Sequence, residues 1–330
     1  MESALTIAAP VSRAMRSANA DLPLAVGPAM RSALGVLLDE PMPVFVATLV
    51  AAPAGLTDAA VRRVAQALPA PVESRWLSQG EAADLVFEGE AGAELAEAAA
   101  GLDLFLQPLD ARDKKLLVAD MDSTLIGQEC IDELAKVAGI GERVAAITER
   151  AMRGELDFAG ALRERVGLLE GLDLAVIDRL LAERITLNPG ARTLAATFRR
   201  RGGYFAIVSG GFVPFTGAVA SWLGADEHRA NRLEAEGGRL TGRVVEPIQG
   251  ADAKLGALRE LRGRLGLPAS ATLAVGDGAN DLPMLAEAGL GVAYRAKPKV
   301  AAAAHARVER GDLTALLFAM GLERSEFAPV

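Results

Sequence analysis

The stretch Leu116-Leu117-Val118-Ala119-Asp120-Met121-Asp122-Ser123-Thr124 constrains this chain more than any other. An apolar run of strand length ends abruptly in two carboxylates one residue apart, followed by two hydroxyls. Such a run reads as a strand buried on both faces, as in a parallel sheet covered by helices. Side chains alternate along a strand, so Asp120 and Asp122 can both point into a crevice at its carboxyl end. Carboxylates that close repel each other unless a cation or a shared proton relieves them. An Asp-Ser-Thr turn or a helix cap fits the same residues, and the stretch alone does not choose between them.

Three later segments bear on the choice. Tyr204-Phe205-Ala206-Ile207-Val208 is another apolar run, ending in Ser209-Gly210-Gly211. A hydroxyl followed by two glycines leaves bare backbone N–H groups that suit an anion. Thr272-Leu273-Ala274-Val275 ends in Gly276-Asp277-Gly278-Ala279-Asn280-Asp281. Its glycines permit a tight turn that gathers Asp277, Asn280 and Asp281, oxygen donors that suit a hard cation. Between these segments lies Lys254, in the helix-like stretch Asp252 to Leu258. Only six of the 35 Lys and Arg residues are lysine. A lysine kept here points to a need for a compact point charge. Taken singly, each segment also reads as an ordinary turn or a solvated charge.

Their order is more specific. Asp-x-Asp-x-Thr, Ser-Gly-Gly, Lys and Gly-Asp-Gly-x-Asn-Asp follow one another, and the three loop motifs each close a predicted parallel strand. This series resembles the haloacid dehalogenase superfamily of phosphotransferases and, within it, the phosphoserine phosphatase family. The resemblance runs from about Lys114 to Gly321. It implies an α/β, Rossmann-like core with a parallel sheet and a helical cap inserted after the first strand, at about 126–192. Asp120 would be the nucleophile that forms an aspartyl-phosphate. Asp122 would be the general acid, then the base for hydrolytic water. One Mg²⁺ per active site would be held by Asp120, Asp277 and the main-chain carbonyl of Asp122. Ser209, Gly210, Lys254 and Asn280 would bind phosphate, with Asp281 orienting the lysine. An acid at position 122 favours phosphate over halide chemistry, because a halide leaves without a proton.

The segment from Ile126 to Arg192 is rich in Ala, Leu, Glu and Arg at helical spacing, as a cap requires. Here the resemblance implies that Glu129 takes a substrate ammonium and Arg165 a substrate carboxylate. Met152 and Phe158 would wall the small side of the pocket, with Gly211 also lining it. The implied reaction is hydrolysis of O-phospho-L-serine, the last step of serine biosynthesis. Another small phosphorylated amino acid or alcohol would suit the same motifs, as would a non-catalytic amino-acid-binding regulator. Met121 stands where the family often has Phe, an apolar exchange expected to face away from the site.

The 330 residues suit more than one domain. Residues 1–42 show no clear period and form a poorly defined extension. Residues 43–110 read as β-α-β-β-α-β, a ferredoxin-like, ACT-like order expected to pack as a domain, to support a homodimer or to sense a ligand such as serine. Residues 111–330 form the phosphatase domain. Arg232 to Val245 alternates around Gly237-Gly238 and predicts a β-hairpin. A net charge of −8 and 4% aromatic residues argue against a nucleic-acid partner. A single cysteine, Cys130, excludes an internal disulfide, and two histidines do not make a zinc site. No segment reads as a signal peptide or a membrane span, so a cytoplasmic protein without membrane partners is expected.

Overall fold

The computed structural model describes residues 42–330, and the expectation for residues 1–41 lies outside that range. Val44 to Val330 forms one compact unit. Its first layer is a four-stranded antiparallel sheet of β1 (Val44–Val50), β2 (Val72–Ser78), β3 (Ala82–Glu88) and β4 (Asp103–Pro108). Helix α1 (Asp58–Gln66) follows β1, and α2 (Glu94–Ala98) follows β3. The strand order β2-β3-β1-β4 is ferredoxin-like. Thr57 starts α1 by accepting a hydrogen bond from the Ala60 N–H. One face of the sheet packs against the helices through Leu49, Val64, Leu85 and Phe87, all buried.

The second layer is a seven-stranded sheet in the order β11-β10-β9-β5-β6-β7-β8. Its members are β5 (Leu116–Ala119), β6 (Tyr204–Phe212), β7 (Glu227–Glu236), β8 (Arg239–Val245), β9 (Thr272–Gly276), β10 (Leu290–Tyr294) and β11 (Ala306–Val308). All neighbouring pairs are parallel except β7 and β8. This is the expected Rossmann-like core. Leu116 to Ala119 are fully buried because β5 lies in the middle of the sheet with both faces covered. The chain turns from β7 to β8 at Gly237 and Gly238, both at positive φ, which the tight hairpin requires.

After β5 comes an insertion of four helices: α3 (Cys130–Val137), α4 (Gly141–Met152), α5 (Phe158–Gly167) and α6 (Ala175–Glu183). Helix α7 (Ala191–Arg200) then leads into β6. The two linkers of this insertion meet in an antiparallel bridge between Ile126 and Leu187. The Asn188 side-chain amide donates to the carbonyls of Thr124 and Ile126 and clamps the exit linker to the loop after β5. The β8 end of the hairpin touches the insertion as well, with the Leu240 N–H donating to the Leu172 carbonyl. The remaining helices are α8 (Val213–Leu223), α9 (Ala251–Arg264), α10 (Leu282–Glu287), α11 (Pro298–Ala301) and α12 (Ala315–Ala319). No described helix is long and apolar enough to cross a membrane.

Candidate active site

Three neighbouring strands, β9, β5 and β6, deliver the polar residues to one edge of the parallel sheet. Open α/β sheets bind ligands at such carboxyl ends. Asp120 follows the last residue of β5. Its carboxylate lies 2.8 Å from the Lys254 ammonium and accepts the Met121 N–H. Lys254 comes from the first turns of α9 and bridges Asp120 to Asp281, 2.6 Å away. All three side chains are shielded from solvent. Burial pushes the lysine pKa down, but the two carboxylates outweigh it and hold the ammonium charged. The Asp281 carboxyl is raised to about 6 by burial and by Asp120, against the pull of Lys254.

Asp277 stands beside them and accepts a hydrogen bond from Thr124 Oγ1 at 3.2 Å. Burial, Asp120 and Asp281 push its carboxyl up to about 7. Oxygens of Asp120, Asp277 and Asp281 all lie within 4.8 Å of one another. Such a set of oxygen donors fits a hard divalent cation. Asp122 lies outside this group. Its carboxyl accepts the Cys130 N–H at 3.3 Å. Burial and the nearby Glu129 hold its pKa well above the usual carboxylate range. The neighbouring Met121 is buried in the core.

The Ser209-Gly210-Gly211 segment does not follow the end of β6, as the sequence suggests, but lies within it. The β6–β7 register is irregular between Val208 and Phe212, so the strand bulges there instead of stopping. The Ser209 hydroxyl oxygen accepts the Gly211 N–H at 2.9 Å. That leaves its hydrogen available to an incoming oxygen. Gly211 is packed so closely that a Cβ would lie 2.6 Å from Asp122 Oδ2. A Cβ on Gly210 would meet the Phe158 ring at 2.9 Å and the Asn280 amide nitrogen at 3.8 Å. Asn280 therefore stands next to the bulge.

The insertion covers this edge. Glu129, just before α3, keeps much of its surface open. Its carboxylate accepts the Ser123 hydroxyl at 2.6 Å. Burial of the carboxyl raises its pKa, while the Ser123 hydrogen bond and Arg165 oppose the rise. Ser123 holds a left-handed backbone at φ 54°, a costly conformation for a non-glycine residue. Arg165 is on the last turn of α5, where its Nε donates to the Ala161 carbonyl. Burial lowers its pKa, and Asp132 and Glu129 counter that. Phe158 opens α5 behind the cap residue Asp157, which accepts the Gly160 N–H. Met152 ends α4, and its side chain lies outside what the structure describes.

The structure thus brings Asp120, Asp122, Ser209, Gly210, Gly211, Lys254, Asp277, Asn280 and Asp281 to one sheet edge, with Glu129, Arg165 and Phe158 above it. Sequence reasoning noted the hydroxyls of Ser123 and Thr124 without giving them a role, and it passed over Asn231. Thr124 and Ser123 belong to the Asp-x-Asp-x-Thr run and could have been singled out there. Asn231, buried within β7, carries no motif signal.

This architecture is that of a phosphotransferase-type hydrolase. A family model described as haloacid dehalogenase-like hydrolase matches residues 117–286, and the chain belongs to that family. Within it, the chain stands with the phosphoserine phosphatases. It is 47% identical over 214 residues to a phosphoserine phosphatase of Polaromonas, covering 63% of this chain and 91% of that protein. It is also 47% identical over 235 residues to a phosphoserine phosphatase of Streptomyces coelicolor, covering 71% of this chain. The match spans about half of the Streptomyces protein, 55% of its length. A crystal structure of a haloacid dehalogenase family hydrolase from Salmonella enterica superposes with a TM-score of 0.76 at 30% identity. It covers 84% of this chain and 98% of its own.

Proposed function

We propose that the chain is a Mg²⁺-dependent phosphomonoesterase that hydrolyses O-phospho-L-serine to L-serine and phosphate through an aspartyl-phosphate on Asp120. One observation carries this reading. A carboxylate held 2.8 Å from a buried ammonium stands near a second carboxyl whose pKa burial and Glu129 raise. The first is equipped as a nucleophile and the second as an acid.

In the first step Asp120 attacks phosphorus in line, and the bond from phosphorus to the serine oxygen breaks. Asp122 gives its proton to the departing alkoxide. In the second step Asp122 takes a proton from water as the water attacks phosphorus, and the bond to Asp120 breaks. The Lys254 ammonium, the Ser209 hydroxyl and the Gly210 N–H offset charge on the transferring group. Asp120 and Asp277 would hold Mg²⁺ together with the Asp122 main-chain carbonyl. Bound there, the ion would let an anionic carboxylate approach an anionic phosphate. Glu129 and Arg165 complement the ammonium and carboxylate of an amino acid, which a simple phosphorylated alcohol lacks. The phosphoserine phosphatases among the relatives support the same substrate.

Phosphate release should be measured with and without Mg²⁺ on phosphoserine, phosphothreonine and phosphoethanolamine. The parent protein should prefer phosphoserine and require the metal. Arg165→Ala should lose at least about tenfold more on phosphoserine than on phosphoethanolamine, which has no carboxylate, since a desolvated charged contact is worth roughly 2–4 kcal/mol. Equal losses on every substrate would show that Arg165 recognises nothing, and absence of metal-dependent release would remove the phosphatase reading.

A further inference from the structure

Asn231 is a polar side chain almost wholly excluded from solvent, at 1% exposure, on a strand that carries no motif. Its amide is satisfied by two loops at once. The Nδ2 group donates to the Gly210 carbonyl at 2.8 Å and to the Gln249 carbonyl at 3.2 Å. Its Oδ1 accepts the Gln249 N–H at 2.7 Å. Gly210 belongs to the Ser209-Gly210-Gly211 bulge. Gln249 precedes Gly250, whose carbonyl accepts the Lys254 N–H in the first turn of α9. One amide therefore ties together the two segments that carry Ser209 and Lys254. The register explains its position. Asn231 lies opposite Phe212, where the β6–β7 ladder resumes after the bulge. At a bulge the backbone carbonyl of Gly210 loses its ladder partner, and a side-chain donor replaces it.

The same two segments seat the cap. Phe158 packs so that a Cβ on Gly210 would fall 2.9 Å from its ring and one on Gly250 3.2 Å from it. Movement of either loop would shift both the phosphate ligands and the surface on which Phe158 rests.

We infer that Asn231 is a positioning residue: it fixes the separation between the Ser209-Gly210 bulge and the Lys254 helix, and so the phosphate-binding geometry. This rests on the reading that Ser209 and Lys254 bind phosphate. It deepens that reading by assigning the group that sets their spacing, and it concerns the phosphate end of the substrate alone. The amino-acid end depends on Glu129 and Arg165, which Asn231 does not touch.

The experiment compares Asn231→Asp, Asn231→Ala and Ser209→Ala with the parent, each below its own melting temperature. Asn231→Asp keeps the acceptor for the Gln249 N–H but turns a second oxygen toward two carbonyls. Competitive inhibition by inorganic phosphate and by free L-serine is measured separately. We expect the inhibition constant for phosphate to rise at least tenfold in both Asn231 variants, while that for serine changes less than twofold. kcat/KM should fall by similar factors on phosphoserine and on phosphoethanolamine. If Asn231→Asp does not fold, Asn231→Ala alone decides. Phosphate inhibition within twofold of the parent in a folded Asn231 variant overturns the inference. Should Ser209→Ala also leave phosphate inhibition unchanged, the phosphate-binding reading itself falls. Should Ser209→Ala weaken it while the Asn231 variants do not, only the positioning role falls.

Discussion

At the scale of single residues, the site is set by which charges are buried together. Among the described residues Lys254 is the one cation shared by Asp120 and Asp281, and its charge holds two acids in a place that water barely reaches. Asp120→Asn should abolish turnover while Lys254 keeps Asp281, because an amide cannot form the acyl phosphate. Beryllium fluoride should form an adduct on the parent carboxylate and none on the variant; appreciable turnover by Asp120→Asn would remove Asp120 as nucleophile. Gly211 gives a sharper test of Asp122. A methyl at this position would stand 2.6 Å from Asp122 Oδ2 and 3.1 Å from Ser209 Oγ. Gly211→Ala should therefore displace the acid and lower kcat by about 10²-fold or more, in keeping with the usual worth of general acid–base catalysis. Activity close to the parent's would show that Asp122 need not stand where it does.

At the scale of elements, the ends of the parallel strands were legible in the sequence and their cross-connections were not. Leu116 to Ala119 and Thr272 to Val275 announce themselves because strands buried on both faces are continuously apolar. The bulge in β6 was hidden, since Ser-Gly-Gly looks the same whether a strand stops or buckles. Asn231 and Asn188 were hidden for another reason. Each is a lone amide whose partners lie at least 18 residues away, and local pattern cannot reveal a partner that far off. The β7 strand shows how such long-range links stabilise an element. Glu227 accepts from Arg264, Arg229 and the Tyr204 hydroxyl, tying β7 to β6 and α9. Burial pushes its carboxyl up, but these hydrogen bonds outweigh it and hold the pKa at about 2. The pKa is lower in the folded protein than in the unfolded chain. The stabilisation is therefore complete above the unfolded carboxylate's range and is lost as pH falls toward about 2. Glu227→Gln should cost about 1–2 kcal/mol at pH 7, reduced from the full linkage value because the side chain keeps some contact with water. Urea titrations at several pH values should show the gap between parent and variant closing in acid; a gap independent of pH would contradict the assignment.

At the scale of the whole molecule, the question is how far the ferredoxin-like sheet is a separate body. The polar residues that join it to the core are scattered along the chain, so the sequence does not show them. The Asp103 carboxylate accepts the N–H groups of Glu309, Arg310 and Gly311. Gln107 donates to the Ala319 carbonyl at 2.7 Å. Between the small sheet and α12 lies Arg112, largely buried, whose guanidinium grips both oxygens of Asp84 at 2.8 and 2.9 Å and also reaches Thr48 and the Phe318 carbonyl. Val50 and Phe105 of this sheet belong to the same apolar cluster as Leu117 and Phe205 of the core. Chain beginning near residue 111 should keep every motif residue and retain Mg²⁺-dependent activity. It would also leave Arg112 without its carboxylate and uncover part of that cluster, so it should be less stable than the full chain. Asp84→Ala isolates the charged part of this effect. Removing one partner of a buried ion pair leaves the other charge uncompensated and costs about 3–5 kcal/mol. Pairing it with Arg112→Met should recover much of that loss, because the uncompensated charge is then gone. Urea denaturation of the two single variants and the double variant measures the coupling directly. If Asp84→Ala costs less than about 1 kcal/mol, or if the double variant is no better than the single, the small sheet is held to the core by apolar contact and not by this pair.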